Sequence, residues 1–316
     1  MPKTTCPSKE QIEQAGALIR AGKLVAFPTE TVYGLGANAL DADAVGRIFR
    51  VKGRPATSPV IVHVDTVAMA RGLASCWPEQ AELLTQRFWP GPLTVVLPKN
   101  PQVPDIVTAG LPTVGLRMPA NSVALDLIRG AGVPIAAPSA NLFSTLSPTT
   151  ARHVRNSLGS AVDLILDGGP TTVGIESTVV SLVGDTPKLL RPGMISRAEL
   201  EALLGPLEEV GAAGPEDHSH PSPGMHLRHY SPATPIALID AGKRLPQGRG
   251  AYLWLFAPAK ATVTIQMPAS PEEYAAILYE TLHRLDEQNL EWIAIEKLPE
   301  DAPWFAIRDR LARASR

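Results

Sequence analysis

The sequence predicts an α/β fold in two units. Three observations carry this reading. Short β-branched runs alternate with helix-period segments over the first two hundred residues, the pattern dissolves after Gly205 into a Gly-, Pro- and His-rich stretch, and alternation resumes near Pro235. At 316 residues the chain exceeds one average domain and can bury a sizeable core. The units are expected at residues 1–206 and 235–316, joined by a linker over 207–234.

Ser8 followed by Gln11 reads as a capping box ahead of "IEQAGALIRAG", the first helix. The strand "KLVAF" follows and runs into the polar segment "PTETVYGLGAN". Further strands are expected at "PVIVHV", "LTVVLP", "TVGLRMP", "VPIAAP", "DLILDGG", "STVVSLV" and "KLLRPG", with helices filling the gaps. Ser196 with Glu199 repeats the capping box before "LEALLG". Beyond the linker the strands are "PIALID", "GAYLWLF", "TVTIQM" and "WIAIEKL", with a helix from Pro271 to about Glu287 and a second helix at the end. The 31 prolines fall mostly at strand edges and turns such as "WPGP" and "APSAN", where a missing donor does little harm.

Hydrophobic residues at 45%, charged residues at 19% and a net charge of −2 describe a soluble globular chain with no basic field for nucleic acid. Phosphate contacts must therefore come from a local cluster of Arg and Lys. Cys6 and Cys76 make neither a disulfide framework nor a metal quartet. The start lacks the apolar core of a signal peptide, and no stretch reaches the roughly 18 apolar residues of a membrane span. The chain is read as cytoplasmic, with no membrane partner.

In open α/β sheets, ligands bind beyond the carboxyl ends of strands. The polar residues there are Thr29, Glu30, Thr31 and Tyr33 after the first strand, Lys52 and Arg54 in "VKGRP", His63 in "VIVHV" and Arg117 in "GLRMP". Ser139 and Asn141 in "APSAN", Ser177 in "GIESTVV" and Arg191 in "LLRPG" complete the set. Its cations suit a ligand bearing phosphate and carboxylate, because guanidinium grips both at two points.

Plainer readings stand beside this one. "GLGANA" fits a loose dinucleotide pattern, but "PTETVY" separates it from the strand and no acidic residue follows at the right distance. His63 alternates with Ile61, which favours a structural histidine on spacing alone. Arg117 in an apolar strand needs an anion, either a ligand or a structural Asp or Glu. The linker histidines His218, His220, His226 and His229 lack the spacing of a closed zinc site, and no protein metal site is expected. The terminal "RDRLARASR" reads most simply as the solvated face of a helix, with RNA binding as the lesser reading. No Walker A loop, Gly-x-Ser-x-Gly elbow or His-Glu-x-x-His is present, so the nucleophile is expected to arrive on the substrate.

The motifs "FPTETVYGLGANA", "VKGRPATSPVIVHV", "WPGPLTVVL", "VGLRMP", "APSAN", "IESTVV" and "LLRPG" resemble, in content and order, those of the YrdC-like family. "SPGMHLRHYSP" is similar to the linker motif of its two-domain branch, the L-threonylcarbamoyladenylate synthases, so the resemblance spans essentially the whole chain. It implies a twisted open sheet around a positively charged cavity, followed by a smaller Rossmann-like α/β unit. The implied reaction joins L-threonine, bicarbonate and ATP into threonylcarbamoyl-AMP and releases pyrophosphate, with Mg²⁺ accompanying ATP. A downstream transferase complex would pass the group to tRNA beside the anticodon, and weak tRNA contact is a further implied partner.

By the same resemblance Thr31, His63, Arg117, Ala137 and Ser177 form the threonine pocket, with Arg117 on the carboxylate. Lys52, Arg54, Ser139 and Asn141 are the implied catalytic set around the phosphates. Ser58, Thr113, Ser147 and Arg191 are further ATP contacts, and His229 and Tyr230 close over the nucleotide as part of a linker lid. Two departures stand out: Ser58 to Val60 replaces the family's usual Asn-Pro-Leu, and Leu227 stands where an aromatic residue is more usual. Competing readings are an RNA-binding module of the same fold and a carbamoyl-transferring relative. The second lacks the accessory zinc-finger and acylphosphatase modules here.

Overall fold

Strand-forming runs pair into two separate sheets across the residues that the structure, a computed structural model, describes, 6–209 and 229–316. The first contains β1 (Val25–Pro28), β2 (Tyr33–Asn38), β3 (Val62–His63), β4 (Leu93–Pro98), β5 (Thr113–Arg117), β6 (Ile135–Ala136), β7 (Leu164–Ile165), β8 (Thr178–Ser181), β9 (Lys188–Arg191) and β10 (Glu208–Glu209). Their order is β10-β9-β8-β4-β5-β3-β6-β2-β1-β7, a mixed sheet. The second contains β11 (Ile236–Ile239), β12 (Gly250–Trp254), β13 (Val263–Gln266) and β14 (Trp292–Glu296) in the order β11-β14-β12-β13, every pair parallel.

Both capping boxes form. Ser8 and Gln11 bond reciprocally ahead of the helix Lys9–Arg20, and Ser196 and Glu199 ahead of Arg197–Leu204. The helix expected from Pro271 runs over Pro271–Asp286, with Ser270 as its N-cap.

Two expectations change. "VPIAAP" contributes only Ile135–Ala136, because Pro134 and Pro138 bracket it and cannot donate to a ladder. "YGLGAN", absent from the expected strands, is itself β2 and pairs antiparallel with β1, Val25 opposite Gly36 and Pro28 opposite Tyr33. Its glycines answer to packing: a Cβ at Gly36 would lie 2.8 Å from both Ile135 Cγ2 and Phe27 Cε1. The "PTET" polar cluster is thereby the turn of a hairpin.

The linker expected over 207–234 falls mainly outside the described residues, and so do His218, His220, His226 and Leu227. The residues that follow are packed: His229 and Tyr230 are buried, and Ser231 bridges to Thr145.

One apolar cluster joins the two units. Val32, Leu146 and Ile175 pack with Tyr230 and with Tyr274, Leu278, Tyr279 and Leu282 of the helix Pro271–Asp286. At Gly174, φ is +81° and a Cβ would fall on the Ala275 carbonyl oxygen, so the backbones meet with no space for a side chain. Around this core Arg152 pairs with Glu287 at 2.9 Å, and His153 Nε2 meets Glu280 at 2.9 Å. The solvated face expected of "RDRLARASR" is corrected at Arg310: in the helix Phe305–Ala314 this residue is 1% exposed, because the buried Glu176 of the first unit requires a counter-charge.

Candidate active site

The Thr29 hydroxyl organises the β1–β2 turn. It donates to Val32 O (2.7 Å) and accepts from the N–H groups of Thr31 and Val32 (3.2 Å each), satisfying a turn that no strand partner reaches. Thr31 Oγ1 lies 2.8 Å from Thr29 Oγ1 and accepts from Arg117 Nη1 at 3.0 Å. Donors and acceptors run one way, from Arg117 through Thr31 and Thr29 to the Val32 carbonyl, and such chains polarise cooperatively.

Arg117 and His63 are brought side by side by register, since parallel strands β3 and β5 place His63 opposite Arg117. Arg117 Nη2 lies 2.7 Å from Glu30 Oε1, with both side chains buried. Glu30 is thus the structural partner that the sequence left open. The fit is incomplete: Arg117 Nη2 and both Glu30 oxygens lack well-aligned hydrogen bonds, and His63 Nδ1 has no partner. Burial and then the neighbouring Arg117 push the His63 pKa down to about 3, so its imidazole is neutral and keeps one nitrogen for a ligand.

On the other side, Thr94 Oγ1 and Ser177 Oγ are 2.8 Å apart, and Arg191 donates through Nε to Ser177 O and through Nη2 to Ser177 Oγ, each at 3.0 Å. Arg54, two residues beyond the helix Ala42–Lys52, donates to Ser58 O (3.2 Å) and Pro59 O (2.8 Å). Burial, with Arg191 adding repulsion, pushes its pKa down to about 10, and burial likewise lowers that of Arg191. Both guanidiniums line the same cavity. Their like charges repel across the site, an arrangement that suits an anionic ligand.

The structure brings most of the expected residues together. Thr31, His63, Arg117, Ala137 and Ser177 line the cavity, as do Arg54, Ser139, Arg191, His229 and Tyr230. Tyr230 adopts φ +63°, a strained backbone for a bulky residue, with its hydroxyl buried and unpartnered. Lys52 lies behind the wall: its ammonium donates to Ser139 O at 2.6 Å and to Asn141 O, and burial then Arg54 lower its pKa well below the usual lysine value. Asn141 spends its amide on Leu142 O and Thr145 O, 2.9 Å each, leaving Oδ1 unpartnered. Ser58 and Ser147 are buried beside the cavity, and Thr113 lines a small apolar pocket that shares Ile61 with it.

Two contributors escaped sequence reasoning. Glu30 stood among the polar residues of the turn with no role, although its place at a strand end was the available signal. Glu176 lines the cavity and was unmarked, its only signal being a lone acid between the apolar Ile175 and Ser177.

Comparison with known proteins places the chain in a family. The Sua5/YciO/YrdC family profile, described as "Telomere recombination", matches residues 17–193, and the profile "Threonylcarbamoyl-AMP synthase, C-terminal domain" matches residues 195–316. The threonylcarbamoyl-AMP synthase of Bacillus subtilis is 43% identical over 321 residues, covering 96% of this chain and 93% of the relative. The chain belongs to the threonylcarbamoyl-AMP synthase family. The Pyrococcus abyssi synthase is 41% identical over 97% of this chain and 96% of its own length. The crystal structure of P. abyssi Sua5 complexed with L-threonine superposes with a TM-score of 0.91 at 40% identity, covering 98% of this chain and 96% of that one. Among the described residues of this synthase-family chain, no helix is long and apolar enough to cross a membrane.

Proposed function

We propose that this chain condenses L-threonine, bicarbonate and ATP into threonylcarbamoyl-AMP with release of pyrophosphate. One observation carries the reading: Arg117, Thr31 and His63 line the same cavity as Arg54 and Arg191, a set of groups that suits a carboxylate and phosphates together. Arg117 would exchange its poorly aligned contact with Glu30 for the threonine carboxylate, and neutral His63 would bond the substrate with its spare nitrogen. The amine adds to bicarbonate with loss of water, giving a carbamate. A carbamate oxygen then attacks the α-phosphorus as the bond to the β-phosphate oxygen breaks.

The nucleophile is already anionic, so the task is to hold anions together in a dry site. Arg54 and Arg191 offset that repulsion, and Lys52, with Asn141, fixes the loop bearing Ser139. Mg²⁺, which would neutralise charge on the departing phosphates, is assigned to the nucleotide. The carboxylates at the cavity are committed to Arg117 and Arg310, a poor fit to a protein-held ion.

The unbridged, exposed cysteines Cys6 and Cys76 suit a reducing cytoplasm. A transferase acting on tRNA would consume the product, a mixed anhydride that water destroys. Burial of the cavity arginines supports small-molecule chemistry over RNA docking. The test is pyrophosphate release from Mg-ATP with L-threonine or bicarbonate omitted in turn: release that needs both is expected, and release independent of threonine would sink the reading.

A further inference from the structure

Glu176 is a carboxylate in the wall of a cavity proposed to take a polyanion. Left to itself it would repel the phosphates or pair with the arginines meant for them. Its oxygens are instead committed away from the cavity. Oε1 accepts from Ser147 Oγ at 2.6 Å, and Oε2 accepts from Arg310 Nε at 2.8 Å and from Tyr279 Oη at 3.2 Å. Arg310 and Tyr279 both come from the C-terminal unit.

Arg310 is placed to do more than neutralise. Its Nη2 donates to Pro192 O at 2.9 Å and to Glu176 O at 3.4 Å, the carbonyls next in sequence to Arg191 and Ser177, and Nη1 pairs with Asp309 at 2.8 Å. Its guanidinium also lies 5.3 Å from the centre of the Tyr230 ring, another face of the cavity. One fully buried side chain thus braces the backbone that carries Ser177 and Arg191, while Arg191 bonds the Ser177 oxygens.

We propose that Arg310 is a positioning residue of the cavity, through which the C-terminal unit holds the Glu176 charge out of the way so that Arg54 and Arg191 face the nucleotide. The inference rests on the synthase reading for its substrate, but its test reads nucleotide binding directly. In the full chain, R310M, R310K, E176Q and E176Q/R310M are compared by calorimetric titration with a non-hydrolysable ATP analogue, alongside thermal melting and pyrophosphate release.

R310M is expected to weaken nucleotide binding by at least about ten-fold and to raise the KM for ATP more than it lowers kcat, because an unpaired carboxylate remains in the wall. R310K, which keeps the charge, is expected to recover much of the loss. E176Q/R310M, which removes the orphaned charge, is expected to recover binding to within about three-fold of E176Q. Folded R310M with wild-type affinity overturns the proposal, as does a folded double variant that binds no better than R310M. If R310M does not fold, R310K and the double variant still decide: both must bind the analogue nearly as well as wild type and E176Q, respectively. A wild-type protein that binds the analogue yet releases no pyrophosphate overturns the synthase reading and leaves the Arg310 comparison standing.

Discussion

At Arg117, the fork of the guanidinium matters more than its charge. Nη1 is held by Thr31, and Nη2 faces Glu30 in poor alignment, leaving a donor for an incoming carboxylate. Arg117→Lys keeps the charge but cannot serve both positions, so the KM for threonine is expected to rise by about ten-fold or more with a smaller change for ATP, read from initial rates. His63 and His283 make a separate prediction. Burial drives both below the usual 6.5, to about 3 and about 4, with Arg117 adding to the first and His153 to the second. Each is neutral when folded but takes up a proton when unfolded. Their stabilisation is therefore complete above about pH 6.5 and is lost as pH falls towards the folded values. Urea unfolding is expected to show a loss of about 2 kcal/mol per histidine between pH 7.5 and pH 5, shrinking by one histidine's share in His63→Gln.

The β1–β2 hairpin is the element on which the threonine side of the cavity depends. Its turn has one organising hydroxyl, so Thr29→Val should leave buried turn N–H groups unsatisfied and cost about 1–3 kcal/mol in denaturant unfolding. Binding of threonine should suffer with it, because Thr31 loses the neighbour that orients its hydroxyl. At the hairpin's far end, Gly36→Ala sets a methyl against Ile135 and Phe27 and is expected to cost about 1–3 kcal/mol by overpacking. The helix ends are simpler: each capping box was legible because both partners lie within one turn of chain.

Across the whole molecule, the two sheets share an apolar cluster rather than meeting through a polar surface. Gly174 is its narrowest point. Gly174→Ala would drive a methyl into the Ala275–Ala276 backbone at a positive φ, and a loss of at least about 2–4 kcal/mol is expected. If the units unfold as one, calorimetry should show a single transition moved down intact in this variant. Two separated transitions in the wild type would refute the shared core. The Arg310–Glu176 pair crosses the same boundary, so the C-terminal unit contributes both apolar contact and electrostatics to the cavity.

Local regularities needed only the sequence: the α/β alternation, the two units, the helix caps, and three of the cationic residues, Arg54, Arg117 and Arg191, that came to line one cavity. Each depends on neighbours a few residues apart or on a motif carried whole. What tertiary structure decided depends on distant partners. The strand role of "YGLGAN" showed only in its pairing, with β1 on one side and β6 on the other, because a glycine-rich run has no period of its own to declare a strand. Glu30 as the partner of Arg117, and Arg310 as the partner of Glu176, became visible only with the chain folded. A buried charge must find its opposite in space, and the partners here lie 87 and 134 positions apart along the chain.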